Sequence, residues 1–204
     1  MFDHRLIPLI RRPLAAIAKL ADNAGISANQ VSVTGFVIGM LALPLLAYNL
    51  YFWALLAIII NRIFDGLDGA VARRQGITDC GGFLDITLDF IFYGAVVIGF
   101  ALSSPSNALA AAVLLFAFMG TASSFLAFAI MASKRGIDNP VYNHKSLYYL
   151  GGLTEGSETI MTFIAMCLWP HFFTLLAYGY ALLCMITTIT RLWFGYHTLR
   201  NTTP

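Results

Sequence analysis

Residues 51–74 read YFWALLAIIINRIFDGLDGAVARR, and residues 81–89 read GGFLDITLD. The first stretch opens with an unbroken apolar run, Tyr51–Ile60, and then carries Arg62, Asp65, Asp68, Arg73 and Arg74 around Gly66 and Gly69. Such a run begins a membrane-spanning helix, which needs about 20 residues. Ionisable groups inside a span are expensive and mark function. Asp65 and Asp68 are three apart and Asp85 and Asp89 four apart, so each pair shares a helix face. The short connection, Gln75–Cys80, makes the two helices antiparallel neighbours, with the four acids facing one another near one membrane surface.

The rest of the chain agrees. Of 204 residues, 59% are apolar and 11% charged, against about 45–50% and about 25% in soluble domains. A water-soluble globule of this size has nowhere to hide so much apolar surface, and disorder is excluded by the same composition. Cys80, Cys167 and Cys184 form no CxxC pair, which argues against a disulfide scaffold or zinc knuckle. The fold expected is all-α, a six-transmembrane-helix bundle. Its spans lie near Val31–Leu50, Tyr51–Arg74, Gly81–Leu102, Ala108–Ser133, Leu153–Trp169 and Phe172–Gly195. No internal repeat or long linker appears, so residues 1–204 are expected to form a single domain, with 1–27 a juxtamembrane segment and 28–204 the six spans.

Charge sets the orientation. The turns after the first, third and fifth spans carry no Lys, Arg or carboxylate, and all twelve Lys and Arg fall on the other side. The positive-inside rule makes that side cytoplasmic, and an even number of spans returns the C-terminus to it. The first 30 residues have four basic residues and no continuous apolar core of a cleavable signal. Leu6, Leu9, Ile10, Leu14, Ile17 and Leu20 recur at helical spacing against Arg5, Arg11, Arg12 and Lys19, predicting an amphipathic helix on the cytoplasmic leaflet. The protein is expected in a bacterial inner membrane, multi-pass, with both termini and the active site cytoplasmic.

Four carboxylates this close repel one another in a low-dielectric site. Divalent cations offset that repulsion, and hard oxygen ligands without His or Cys at ligand spacing suit Mg²⁺ or Mn²⁺. The competing reading pairs the acids with Arg62, Arg73 and Arg74, but leaves the glycines unexplained. Glycine in a helix costs about 1 kcal/mol relative to alanine. Its compensation is close helix packing or letting a ligand touch backbone, and a pyrimidine and pyrophosphate fit such a cleft.

The string Asp65-x-x-Asp68-Gly69-x-x-Ala72-Arg73, followed by Gly81-x-x-x-Asp85-x-x-x-Asp89, resembles the signature of the CDP-alcohol phosphotransferase family of integral membrane enzymes. Seven residues separate Arg73 from Gly81, one fewer than the family's usual spacing; the shortening falls in the turn. The resemblance implies that Asp65, Asp68 and Asp85 hold metal ions, two in number, with Asp89 also near the second ion. It implies that Gly69, Ala72, Arg73 and Gly81 line a CMP pocket and that Asp89 is the general base. Chemistry agrees: an acceptor hydroxyl has a high pKa and needs a base within hydrogen-bond reach.

The segment Lys134–Glu158 is the most polar outside the motif and lies on the same side. Lys145, Glu155, Glu158 and Arg191 are the candidate acceptor residues. Glu155 and Glu158 also suit a helix N-terminus for dipole reasons alone.

The function expected is transfer of a phosphatidyl group from CDP-diacylglycerol to a small hydroxylated acceptor, with release of CMP. One alternative uses a CDP-choline or CDP-ethanolamine donor with diacylglycerol as acceptor. Another is a divalent-cation transporter, against which all ten acids lie on the cytoplasmic side. Membrane lipids are expected partners and nucleic acid is not. A homodimer is expected from the family and from the small residues Gly94, Gly99, Ala108, Ala110, Ala111 and Ala112.

Overall fold

The computed structural model describes residues 14–136 and 152–201, and at 201 the backbone alone. Every regular element among them is helical. Helix α1 occupies residues 14–23. It is followed by α2 (Ala28–Met40), α3 (Ala42–Ala47), α4 (Tyr51–Gln75), α5 (Asp79–Ser103), α6 (Ala108–Lys134), α7 (Gly156–Leu168) and α8 (Phe173–Asn201). Single 3₁₀ turns, Pro105–Asn107 and Pro170–Phe172, lead into α6 and α8.

Four segments are long and apolar enough to cross a membrane: Ala28–Ala47, Asp79–Ser103, Pro105–Lys134 and Pro170–Arg200. The other two expected spans differ from these for identifiable reasons. Helix α4 has the length, about 37 Å at 1.5 Å per residue, but carries Arg62, Asp65, Asp68, Arg73 and Arg74. Helix α7 has 13 residues, because Leu153 and Thr154 form a bend and Glu155 is the N-cap. The first expected span is broken at Leu41, one turn before Pro44. Proline has no N–H to return to the carbonyl four residues back, so the α2 ladder cannot continue through Met40.

With lipid outside, association of helices depends on close packing rather than on escape from water. Small residues provide it. An added Cβ at Gly35 would lie 2.4 Å from Phe64 Cβ, and one at Gly39 2.7 Å from Asn61 Nδ2. The Gly35-x-x-x-Gly39 step therefore brings α2 directly onto α4. Gly99 does the same for α5 on α3, where a Cβ would stand 2.8 Å from Leu46 Cβ. Helix α6 packs along α8, and α7 lies against α4 and α8. Phe92, Phe100, Leu114, Phe163, Met166 and Phe173 fill the centre, fully buried, with Phe100 stacked on Phe173 at 4.7 Å between ring centroids.

This packing corrects one expectation. Gly99, Ala110 and Ala111 are buried within the chain's own core, so they offer no surface to a second copy. Ala108 and Ala112 are exposed and Gly94 is half-buried.

Residues 1–13 of the expected amphipathic helix lie outside the described residues. Within α1, Leu14, Ala18 and Ala21 pack on Leu67, Ala70 and Val71 of α4, while Ile17 and Leu20 are exposed. The α1–α2 connection is pinned to the end of α4. Arg74 Nε bonds Asp22 at 3.0 Å, and Gln75 Nε2 bonds Asp22 at 3.2 Å and the Ile26 carbonyl at 2.9 Å.

Candidate active site

The acids sit where two helix ends are well defined. Gly76 closes α4 with φ +102°, a conformation that favours glycine. Two residues later the Thr78 hydroxyl caps α5 by accepting the Gly81 N–H at 3.1 Å. Only residues 76–78 separate the two helices; α2 packs on both α4 and α5, and Arg62 of α4 meets Asp89 of α5. Asp65, Asp68, Asp85 and Asp89 all line one small cavity of about 20 Å³, together with Ser32 of α2 and Arg62. A cavity of this size holds a water or an ion, not a nucleotide.

Arg62 lies inside this cluster and ties it together. Its Nη2 bonds Asp89 Oδ1 at 2.5 Å and its Nη1 bonds Asp89 Oδ2 at 3.2 Å. The same Nη1 is 3.4 Å from Asp65 Oδ2. Asn61 Oδ1 accepts from Nε and Nη2 at 2.9 and 2.7 Å. Asn61 is itself held by donating to the Gly35 carbonyl at 3.0 Å. The Tyr93 hydroxyl donates to Asp89 Oδ2 at 3.0 Å. Among the described residues no three Asp, Glu, His or Cys side chains converge closely enough to hold an ion as they stand. The pairing of acids with arginine is thus present for Arg62, whereas Arg74 pairs with Asp22 and Arg73 is exposed. The donor set still fits a hard divalent cation: four carboxylates on one cavity, joined by the Ser32 side chain.

Gly69, Ala72, Arg73 and Gly81 do not line the small cavity. They continue the same helix faces toward the α4–α5 turn, since 65, 69, 72 and 73, and 81, 85 and 89, recur at helical spacing. An added Cβ at Gly69 would meet only Arg73 Nη1, at 3.5 Å, an ordinary contact. Helix packing therefore does not require a glycine there.

A second cavity, of about 210 Å³, adjoins the first and is lined by α5, α6, α7 and α8. Asp85 and Asp89 line both cavities. The second is completed by Tyr93, Thr121, Glu155 and Arg191 among others. Arg191 is buried, donates from Nη1 to the Thr121 carbonyl at 3.1 Å and stands 5.6 Å over the Phe125 ring. Glu155 caps α7, and its carboxylate accepts the Gly152 N–H at 3.3 Å. Glu158 does not line this cavity; its carboxylate accepts from the Glu155 N–H and the Ser157 hydroxyl. Lys145 lies outside the described residues. Asn61, Tyr93 and Thr121 were not singled out by sequence reasoning. Tyr93, four residues beyond Asp89 on the same helix face, carried a usable signal.

Residues 25–193 match the family described as CDP-alcohol phosphatidyltransferase. The chain belongs to that family. It is a membrane phosphotransferase of the CDP-alcohol class, and both cavities lie within the matched residues. The inner membrane protein YnjF of Escherichia coli is 54% identical over 202 residues, covering 98% of each chain. The archaetidylinositol phosphate synthase of Pyrococcus horikoshii is 34% identical over 103 residues, 48% of this chain and 53% of that one. Among solved structures, the phosphatidylinositol phosphate synthase of Mycobacterium tuberculosis with CDP-DAG bound superposes with a TM-score of 0.68. It is 24% identical and the match covers 93% of this chain and 94% of that one. The same enzyme in complex with manganese and citrate gives 0.67, at 23% identity over 92% and 89% of the two chains.

Proposed function

We propose that this transferase moves a phosphatidyl group from CDP-diacylglycerol to a small hydroxylated acceptor, releasing CMP. The observation that carries the reading is that Asp85 and Asp89 belong to two cavities at once. A donor held along Gly69, Ala72, Arg73 and Gly81 reaches the acid cluster from the α4–α5 turn, and an acceptor in the larger cavity reaches Asp89 from the side lined by α6, α7 and α8. The Mycobacterium tuberculosis neighbour, solved with CDP-DAG and with manganese, supports the donor and a divalent cation.

Asp65, Asp68, Asp85 and Asp89 would hold that cation, Mg²⁺ or Mn²⁺ and two ions in all, which when bound would neutralise the pyrophosphate and stabilise departing CMP. The exposed Arg73 adds a guanidinium suited to a phosphate. Asp89 takes the proton from the acceptor hydroxyl. Tyr93, bonded to Asp89 Oδ2, orients the carboxylate toward the larger cavity. Glu155 and Arg191 offer opposite charges to the acceptor there, and Lys145 and Glu158 remain sequence candidates for the same task.

The same reading takes the chain as one domain crossing the inner membrane six times, with α4 and α7 as the two further spans, α1 at the cytoplasmic surface, and termini and active site cytoplasmic. It takes a homodimer formed through the outer faces of α5 and α6, where Gly94, Ala108 and Ala112 are not buried. A detergent-corrected mass equal to one chain would argue against the dimer.

The deciding experiment is CMP release by purified protein from labelled CDP-diacylglycerol with glycerol phosphate, glycerol, inositol phosphate or serine as acceptor, with and without chelator. Metal-dependent release with one of them is expected. Release from CDP-choline with diacylglycerol, and none from CDP-diacylglycerol, would reverse donor and acceptor.

A further inference from the structure

Arg62 stands three residues before the first acid of the motif, and the mechanism above gives it no task. Yet it has the densest set of polar contacts in the acid cluster. One guanidinium grips Asp89 through two nitrogens, at 2.5 and 3.2 Å, and reaches Asp65 at 3.4 Å. Three further groups fix it. Asn61 Oδ1 accepts twice from its Nε edge, the Tyr93 hydroxyl lies 3.4 Å from Nη1, and the Phe92 ring lies 5.2 Å from Cζ. Asn61 in turn is fixed by the Gly35 carbonyl, at a point where glycine lets α2 and α4 touch. Such a chain of contacts is a built site for a cation, and the cation in it is a side chain.

We propose that Arg62 is an internal counter-ion that competes with the divalent cation for Asp65 and Asp89, so that binding of the cation requires the guanidinium to let go of Asp89. The inference rests on the reading of the four aspartates as metal ligands. Its physical basis is that one carboxylate cannot satisfy a bidentate guanidinium and a dication with the same oxygens. Two cations that approach the same oxygens also repel each other strongly in a site of low effective dielectric. The consequence is an exchange. Before the cation arrives, Arg62 relieves the repulsion among the clustered carboxylates and blocks Asp89 from accepting a proton. Once released, Asp89 offers its oxygens to the cation and the acceptor hydroxyl in place of the guanidinium, which is free to swing toward an anionic donor. Arg62 is thus a positioning residue, acting through Asp89.

The test is Mn²⁺ binding, measured calorimetrically on purified full-length protein stripped with chelator, for the wild type, Arg62→Gln and Arg62→Lys. Glutamine keeps polarity and removes the charge. Arg62→Gln should bind Mn²⁺ about tenfold more tightly or better, because a nearby positive charge is gone, and should melt at a lower temperature without metal. Arg62→Lys, charged but unable to fork across Asp89, should fall between. A second measurement needs no variant: phenylglyoxal modification of Arg62 in the wild type, followed by mass spectrometry, should rise when Mn²⁺ is added. Equal or weaker Mn²⁺ binding by Arg62→Gln, or modification that does not change with Mn²⁺, would overturn the exchange while leaving the metal site intact. Loss of donor affinity with unchanged Mn²⁺ affinity would make Arg62 a phosphate ligand instead. If neither wild type nor variant binds Mn²⁺, the metal assignment of the aspartates fails, and the exchange with it.

Discussion

Asp89 differs from the other three acids in how it is held. Asp68 is buried, at 7% exposure, and lines the small cavity alone. Asp89 lines both cavities and is fixed by Arg62 on one side and Tyr93 on the other. The two residues should therefore fail in different ways. Asp89→Asn keeps shape but cannot take a proton, and loss of a general base lowers turnover by about 10²–10⁴-fold. Affinity for CDP-lipid should change much less, since Asp65, Asp68 and Asp85 remain. Asp68→Asn should weaken metal and donor binding together. Turnover, donor affinity and melting temperature measured on both variants would separate these outcomes. Near-wild-type turnover by Asp89→Asn would move the proton acceptor elsewhere, with Glu155, on the wall of the same cavity, the next candidate.

At the scale of the element, glycines do two distinct jobs that look identical in sequence. Gly35 is a packing glycine: its missing Cβ is what lets Phe64 approach α2. Gly69 meets no such neighbour. Gly35→Ala should destabilise the protein by about 1–3 kcal/mol through overpacking. It should also disturb the site, because pushing Phe64 away shifts α4 against the residue-35 carbonyl that holds Asn61. Gly69→Ala should leave stability unchanged or raise it by up to about 1 kcal/mol from helix propensity, while donor affinity falls if Gly69 faces the nucleotide. Melting curves and donor binding for the pair check this; a large stability loss in Gly69→Ala would make it a packing residue too. The comparison also shows what sequence can carry. Long apolar runs place α4, α5 and α6 within two residues of their ends, because nothing else competes for a 25-residue lipid-facing helix. Acids at spacings of three and four share a face whatever surrounds them. By contrast, the break at Leu41 depends on a carbonyl left without a donor by Pro44. The short α7 depends on Glu155 acting as a cap rather than as a helical residue. The role of Arg62 depends on which of several nearby carboxylates it meets across an interhelical gap, and no spacing rule encodes that. Small residues on α5 and α6 suggest an interface, but do not say whether the partner is another chain or, as for Gly99, this chain's own α3.

On the scale of the whole molecule, everything in the reading depends on sidedness. A donor made on one side of a membrane meets the aspartates only if the α4–α5 turn faces that side. The distribution of Lys and Arg predicts that this is the cytoplasmic face, and the chain carries a reporter at that turn. Cys80 is exposed, whereas Cys167 and Cys184 are buried among the aromatic and aliphatic side chains of the core. A membrane-impermeant maleimide should therefore label the wild-type protein at Cys80 in inverted inner-membrane vesicles and leave it unlabelled in sealed spheroplasts. Cys80→Ser should remove the signal without exposing the other two thiols. Cys80 also precedes Gly81, whose N–H is committed to Thr78 and whose face continues to Asp85 and Asp89. Bound CMP or CDP-diacylglycerol should then slow the labelling in inverted vesicles, tying the topology to the nucleotide pocket in one measurement. Labelling of intact spheroplasts would turn the four aspartates away from the cytoplasm and remove the lipid-synthetic reading. Labelling from the cytoplasmic face that ignores the nucleotide would keep the topology and move the donor away from the α4–α5 turn.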